Sequence, residues 1–283
     1  MTLRPAVVAL MLIVTLLAAC TRVDLAYRNL DVIIPWTLND YLDMNREQKS
    51  WFNDRLKEHL RWHCSTQLPG YLPWLDRLQR MAGQPQVDDG QLQALTEDGK
   101  AAVAQVTREI TPSAVELLRG LDDAQVRAMA QAFAEDIADR RKEYVQPPLA
   151  RQISDRSERM EKRLKPWLGS VNEAQREHIE QWSQALGAQN QAWIDNREHW
   201  QNQLLAAMAE RQSAEFPARI ARLLQDRESF WTPAYRNAFQ HTEEAARTLI
   251  EQVMAQSTPA QRQTLQGKIG ELRADFTKLV CAG

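Results

Sequence analysis

Residues 173–212 read EAQREHIEQWSQALGAQNQAWIDNREHWQNQLLAAMAERQ, and they carry the strongest periodic signal in the chain. Ile179, Leu186, Trp193 and Trp200 recur at every seventh position, which places them on one stripe of a helix. At a rise of about 1.5 Å per residue, an unbroken helix of this length would span about 60 Å. The pattern predicts one long helix whose apolar stripe packs in a helical bundle or an antiparallel hairpin. The alternative is a docking surface in which the indole rings anchor a partner.

A four-residue phrase recurs at positions where helices are expected to begin. It reads NREQ at 45–48, DDAQ at 122–125, NEAQ at 172–175 and TPAQ at 258–261. The first side chain of each phrase can accept a hydrogen bond from a backbone N–H of the first turn. The glutamine three residues later can reach back to the N–H of the capping residue. The four phrases therefore predict four helix starts closed by capping boxes.

The composition is that of a helical protein. Glycine supplies only 10 of 283 residues, and no segment alternates β-branched and aromatic residues with polar ones as strands do. We therefore expect an all-α fold, an elongated multi-helix bundle, as a single all-helical domain over residues 20–283. Two lobes with a boundary near residues 146–149 are the alternative. The first predicted helix ends near Ile34, before Pro35. The others cover residues 45–66, 71–81, 91–110, 113–118, 124–145, 149–168, 173–212, 215–230, 233–256 and 259–280.

Residues 1–19 have the layout of a cleaved secretory signal, in which a basic Arg4 precedes an apolar core over residues 6–18. This core is shorter than the roughly 20 apolar residues that a membrane-spanning helix needs. The sequence LAAC at 17–20 resembles the lipobox of bacterial lipoproteins, which implies cleavage before Cys20 and its acylation, with palmitate among the acyl chains. An uncleaved anchor helix is the alternative. Because Thr21 rather than Asp follows the cysteine, the resemblance implies a lipid anchor in the outer membrane of a Gram-negative envelope, on the periplasmic side.

Cys64 and Cys281 are the two cysteines that remain once Cys20 is acylated. An oxidising compartment and an even number of thiols favour a disulfide between them. Two unpaired buried thiols are the alternative. The disulfide would connect the C-terminal segment to an early helix.

Charge and motifs exclude several classes of function. Without Arg4 the mature chain has 34 Lys and Arg against 37 Asp and Glu, a net charge of −3, so we expect no nucleic-acid partner. His59 and His63 lie four residues apart beside Cys64, but the glutamate of an HExxH metalloprotease motif is missing, so we expect no metal and no other cofactor. The chain has no nucleophile elbow, phosphate-binding glycine loop or CxxC motif, so we expect a non-enzymatic protein. An envelope enzyme that acts on peptidoglycan through carboxylates assembled by the fold is the alternative.

The N-terminal part of the mature chain resembles a known family. YRNLD at 27–31, PW at 35–36, NDYLD at 39–43, WH at 62–63 and LPGY at 68–71 have the order and spacing of an uncharacterised family of proteobacterial helical lipoproteins. The resemblance implies an all-helical envelope protein and no particular activity. The four capping phrases are more loosely similar to the helix starts of the LTxxQ periplasmic stress chaperones.

Aromatic residues with polar tips crowd into this segment and form the candidate site. One interpretation is a surface that binds an envelope protein, and the other is a structural clamp that holds the N-terminal arm against the bundle. We expect a lipid-anchored protein, attached to the membrane through its N-terminal lipid, with a binding, scaffold or chaperone-like role. The candidate residues are Tyr27, Asn29, Trp36, Tyr41, Trp62 and His63.

Overall fold

Helices make up nearly all of the described chain. The computed structural model describes Tyr27, residues 29–279 and Cys281, and the signal segment and Cys20 lie outside these residues. Every regular element in the described residues is a helix, so the predicted all-α multi-helix bundle is confirmed. The α-helices are α1 (Leu30–Leu42), α2 (Arg46–Trp62), α3 (Leu68–Ala82), α4 (Asp89–Arg119), α5 (Asp123–Tyr144), α6 (Leu149–Leu168), α7 (Glu173–Leu186), α8 (Asn190–Ala209), α9 (Phe216–Gln225), α10 (Pro233–Ala255) and α11 (Pro259–Lys278). A π-helical turn covers His63–Gln67 and a 3₁₀ turn covers Arg227–Phe230.

All four predicted capping boxes are present, at the starts of α2, α5, α7 and α11. In each box the capping side chain accepts from the backbone N–H of the glutamine three residues later, at 2.9–3.1 Å. The glutamine Oε1 in turn accepts from the N–H of the capping residue, at 2.9–3.0 Å. Each box therefore satisfies two N–H groups that a helix start would otherwise leave unpaired.

The glutamines of the capping boxes also pair with one another across the bundle. Gln48 and Gln125 exchange amide hydrogen bonds of 3.1 and 2.7 Å, and Gln175 and Gln261 exchange bonds of 3.4 and 2.9 Å. Each amide also donates to a main-chain carbonyl in the segment that precedes its partner's helix. Helix starts that are 77 and 86 residues apart in the chain are thus joined by two equivalent reciprocal amide pairs.

The long helix predicted over 173–212 is wrong, because the chain breaks after Leu186. Gly187 has φ 50° and ψ −132°, a backbone conformation that residues with a Cβ rarely adopt. The break moves the buried stripe by one position in its seven-residue repeat. Within the repeat, the buried positions are Ile179 and Leu186 before the break, and Ile194, Gln201 and Met208 after it.

Two prolines lie inside helices that were expected to end there. α1 continues through Pro35, and α4 continues through Pro112, so the predicted end near Ile34 and the predicted break between residues 110 and 113 are wrong. A proline lacks the N–H that would bond the carbonyl four residues earlier, and water can bond that carbonyl where its residue is exposed. The carbonyls concerned belong to Asp31 and Arg108, and both residues are exposed.

The predicted break at Pro69–Gly70 is also wrong. The π-helical turn carries the chain from α2 directly into α3, and the N–H of Leu68 bonds the carbonyl of His63 five residues earlier. Pro69 then occupies the first turn of α3, where a missing N–H is tolerated. The turn leaves Cys64 and Gln67 buried.

Several hydrophobic clusters form the core. The largest, which contains the fully buried Met129, Met208 and Phe216, joins α1, α4, α5, α8 and α9. Smaller clusters join α3, α4, α6, α7, α10 and α11. α4 connects the two sets, because residues near its start pack in a small cluster and residues near its end pack in the largest. The single domain and the lobe boundary near 146–149 stay predictions.

Candidate interaction surface

Tyr27, His63 and Tyr71 form a hydrogen-bonded cluster at the start of the π-helical turn. The Tyr27 hydroxyl donates to the Leu60 carbonyl at 2.9 Å and lies 3.1 Å from Nδ1 of His63. Nε2 of His63 lies 3.1 Å from the Tyr71 hydroxyl. Because the only phenolic proton of Tyr27 points to the carbonyl, the pattern assigns the imidazole proton to Nδ1 and makes Nε2 the acceptor for Tyr71. A neutral histidine thus satisfies every hydrogen bond in the cluster.

Burial keeps these three side chains uncharged. It raises the pKa of Tyr27 to about 12, and the electrostatic interaction with Tyr71 adds to the increase. Burial also lowers the pKa of His63 and raises the pKa of Tyr71. The ring of Tyr27 stacks on that of His63 with centroids 6.0 Å apart, and the ring of Trp62 is tilted to that of His63 with centroids 6.5 Å apart. The geometry is that of a clamp that fixes Tyr27 to the bundle.

The disulfide between Cys64 and Cys281 lies beside this cluster. The two Cα atoms are 5.6 Å apart and the residues are separated by 217 positions, so the predicted disulfide is confirmed. Cys64 directly follows His63 in the π-helical turn, and the chain leaves α11 only a few residues before Cys281. The earliest and the latest parts of the described chain are therefore both fastened to this turn.

His59 and His63 point to different neighbours. Nε2 of His59 lies 2.8 Å from the Ser113 hydroxyl, and its Nδ1 lies 3.9 Å from a carboxylate oxygen of Glu109, both on α4. His63 faces the two tyrosines instead. Over the described residues, no group of three or more His, Cys, Asp and Glu side chains is placed to hold a metal ion.

The remaining predicted site residues lie apart from the clamp. Asn29 precedes α1, and its carbonyl accepts from the N–H groups of Val32 and Ile33 in that helix. Tyr41 packs on Phe133 of α5, and its hydroxyl lies 3.5 Å from Oδ1 of Asp136. Trp36 is exposed. The structure therefore brings together three of the six predicted residues, Tyr27, Trp62 and His63, and adds Tyr71, which was quoted only as part of the family pattern.

The first two turns of α1 present an apolar surface. Trp36 is 71 % exposed, Val32 64 % and Ile33 49 %. Trp36 follows Val32 by four positions and Ile33 by three, the spacings that place side chains next to each other on a helix. We call these three residues the α1 face. Sequence reasoning missed Val32 and Ile33, because a helix that ended at Pro35 gave no reason to place them on one surface with Trp36.

The tryptophans of the seven-residue repeat are used mainly inside the bundle. Trp193 packs edge-to-face on Tyr235 with centroids 5.0 Å apart. Trp200 donates from Nε1 to the Leu223 carbonyl at 3.0 Å. A continuous docking stripe along 173–212 is therefore wrong, because the break at Gly187 turns these rings toward α9 and α10.

Asp136 is a polar centre that sequence reasoning missed. It accepts from Nε of Arg140 at 2.9 Å and from Nε of Arg197 at 2.6 Å, which ties α5 to α8. Burial alone would raise the pKa of Asp136, but the hydrogen bonds and charges of the two arginines outweigh burial and hold the pKa below its usual range. Only the pair with Arg140 has a short-range i,i+4 spacing; Arg197 is 61 residues away, so the sequence does not reveal that both arginines meet Asp136.

Comparison with known proteins identifies a family of unknown function. The model of DUF6279, described as a family of unknown function, matches residues 40–236. No curated protein and no solved structure matches the chain. Among the described helices, none combines the length and the apolar character that a membrane crossing requires.

Proposed function

We propose that this chain, which belongs to DUF6279, a family of unknown function, is a lipid-anchored helical protein on the periplasmic side of the outer membrane. Its role is non-enzymatic: it binds an envelope protein, serves as a scaffold, or acts as a chaperone. Cys20 carries the acyl chains that hold it to the membrane.

The disulfide is the observation that carries this proposal. Disulfides persist in oxidising compartments such as the periplasm and are rare in the cytosol. The bond between Cys64 and Cys281 also uses the other two of the three cysteines in the chain, which leaves Cys20 for the thioether. Together with the apolar core over 6–18 and the LAAC sequence, this division supports export followed by acylation.

The clamp supports a role close to the membrane. Tyr27 lies only seven residues after Cys20, and its hydroxyl bonds α2 while its ring stacks on His63. A short arm fastened in this way holds the bundle near the anchor instead of letting it swing on a long linker.

Acylation is tested by comparing the wild-type chain with Cys20→Ser in a Gram-negative host supplied with an alkyne analogue of palmitate. We expect the label on the wild-type protein only, a mass increase at its N-terminus, and recovery in the outer-membrane fraction. Cys281→Ser is the matched control, because it removes a cysteine without touching the proposed acylation site. Equal labelling of wild type and Cys20→Ser, or a wild-type protein recovered without acyl chains, would overturn the proposal.

The binding role needs a separate experiment. Crosslinking in intact envelopes followed by mass spectrometry should recover a reproducible envelope protein with the wild-type chain. A client-aggregation assay with the purified protein covers the chaperone role. If no partner is recovered and client aggregation does not change, the binding and chaperone roles are both excluded.

A further inference from the structure

The α1 face is the densest group of exposed large hydrophobic residues in the described chain. Val32, Ile33 and Trp36 fall within five consecutive positions. Elsewhere in the described residues, strongly exposed large hydrophobic side chains are at least seven positions apart. Scattered single residues of this kind are ordinary on a protein surface, whereas a contiguous group marks a surface that something covers.

The rest of α1 is fixed to the bundle, so the direction of the α1 face is also fixed. Leu42 is buried in the largest hydrophobic cluster, and Leu38 and Tyr41 pack against that cluster. The clamp at Tyr27 holds the chain just before α1. The α1 face therefore lies on a helix that is held near both of its ends.

The distance to the anchor indicates what covers this face. Leu30 follows Cys20 by ten residues, which span at most about 35 Å when fully extended. A bilayer that holds acyl chains on Cys20 is thus always within reach of α1, and such tethering gives a high effective concentration. The other exposed apolar residues lie on α4, α6, α8 and α10, all later in the chain.

The chemistry of the face matches the interface of a bilayer. Trp is favoured at the boundary between headgroups and acyl chains, and aliphatic side chains beside it can enter the acyl region. Asp40 lies one helical turn after Trp36 on the same side and is exposed, so the apolar part is confined to the end of α1 nearest the anchor. Asp31 and Asp40 would be repelled by anionic lipids, which makes a zwitterionic phospholipid surface the matching partner.

We propose that Val32, Ile33 and Trp36 lie in the headgroup interface of the zwitterionic phospholipid bilayer that holds the acyl chains of Cys20. α1 then sets the orientation of the whole bundle relative to the membrane. The inference rests on the proposed lipid anchor.

The test places a photoreactive benzoylphenylalanine at position 36 of the full acylated chain, reconstituted in vesicles of phosphatidylethanolamine and phosphatidylcholine. The matched control places the same residue at position 167, because Trp167 is also a tryptophan exposed on a helix, by 41 %. We expect phospholipid adducts at position 36 about tenfold above those at position 167, because only the first lies in the interface. The thermal unfolding of both variants is compared with that of the wild-type chain to confirm that each is folded.

The outcomes separate the inference from the anchor. An acylated chain that forms no phospholipid adduct at position 36, or forms equal amounts at both positions, overturns the inference and leaves the anchor standing. Adducts at position 36 with protein, including a second copy of this chain, overturn it as well. A chain whose intact mass shows no acyl groups overturns the anchor and, with it, the inference.

Discussion

Replacement of Gln175 by leucine should destabilise the protein strongly, because its side chain is fully buried and makes hydrogen bonds at both ends. Oε1 accepts from the N–H of Asn172 at 3.0 Å and from the amide of Gln261 at 2.9 Å. Without Gln175, that N–H and the Gln261 amide both lose a partner, and the bonds between Gln175 and Gln261 are buried. A buried polar group without a partner costs about 1–3 kcal/mol, so Gln175→Leu should lower the free energy of unfolding by about 3–4 kcal/mol.

Gln48→Leu is the matched control. Gln48 occupies the same position in its capping box and exchanges the same amide bonds, with Gln125, but its side chain is partly exposed. Asn45 is exposed, so water can replace the bond that its N–H loses. The buried Gln125 amide loses one partner but keeps its bond to the Asp43 carbonyl, so we expect a smaller loss of about 1–2 kcal/mol. Urea unfolding followed by circular dichroism of the purified protein measures both losses.

The double variant Gln175→Leu/Gln261→Leu completes the test. Removal of both partners leaves fewer orphaned groups than the two single changes would suggest, so the double variant should be at least about 1 kcal/mol more stable than additivity predicts. If Gln175→Leu costs no more than Gln48→Leu, or if the two single losses simply add, the buried amide pair is not the link between α7 and α11 that the geometry describes.

Three further changes test other parts of the structure. Cys281→Ser removes a disulfide that spans 217 positions and should lower the free energy of unfolding by up to about 5 kcal/mol. Identical urea midpoints of the wild-type chain with and without reductant would contradict the disulfide. Asp136 has a folded pKa below its unfolded value of 3.8, so its contribution to stability is complete above that value and is lost as pH falls through the folded pKa. Asp136→Asn should therefore cost about 2 kcal/mol at pH 7 and flatten the loss of stability below about pH 4, unlike the exposed Asp139→Asn. Gly187→Ala should cost about 1–3 kcal/mol through backbone strain alone, because nothing lies within 4 Å of the added Cβ. Gly99→Ala inside α4, where the added Cβ also meets nothing, should instead stabilise the protein. Equal unfolding temperatures of Gly187→Ala and the wild-type chain would refute the strain.

Features that depend on neighbours in the chain could be predicted from the sequence. A capping box needs only four consecutive residues, so all four helix starts follow from their phrases. The disulfide follows from a count, because two cysteines remain once Cys20 is assigned to the lipid. The reciprocal pairing of the capping glutamines could not be predicted in this way, since it joins residues 77 and 86 positions apart.

The wrong helix boundaries lie at residue types that can either end a helix or stand inside one. Pro35 and Pro112 suggested helix ends, but exposure of the preceding turn lets water satisfy the freed carbonyl and the helix continues. The seven-residue repeat predicted an unbroken helix across position 187, but the positive φ of Gly187 ends α7 and moves the buried stripe by one position. In each case the outcome depends on solvent access or on a backbone angle that the local sequence does not specify.

The clamp and the disulfide together make the π-helical turn the junction between the proposed anchor and the core. A force on a lipid-anchored Cys20 would reach Tyr27 along the chain, and Tyr27 is bonded to Leu60 and His63. Cys64, the next residue, is bonded to the C-terminal segment that follows α11, and α11 packs against α3. A pull at the membrane is thus distributed over both ends of the chain instead of acting on α1 alone. If the proposed acylation of Cys20 holds, the aromatic residues, the π-helical turn and the disulfide concentrate in the segment where a tethered bundle has to resist separation.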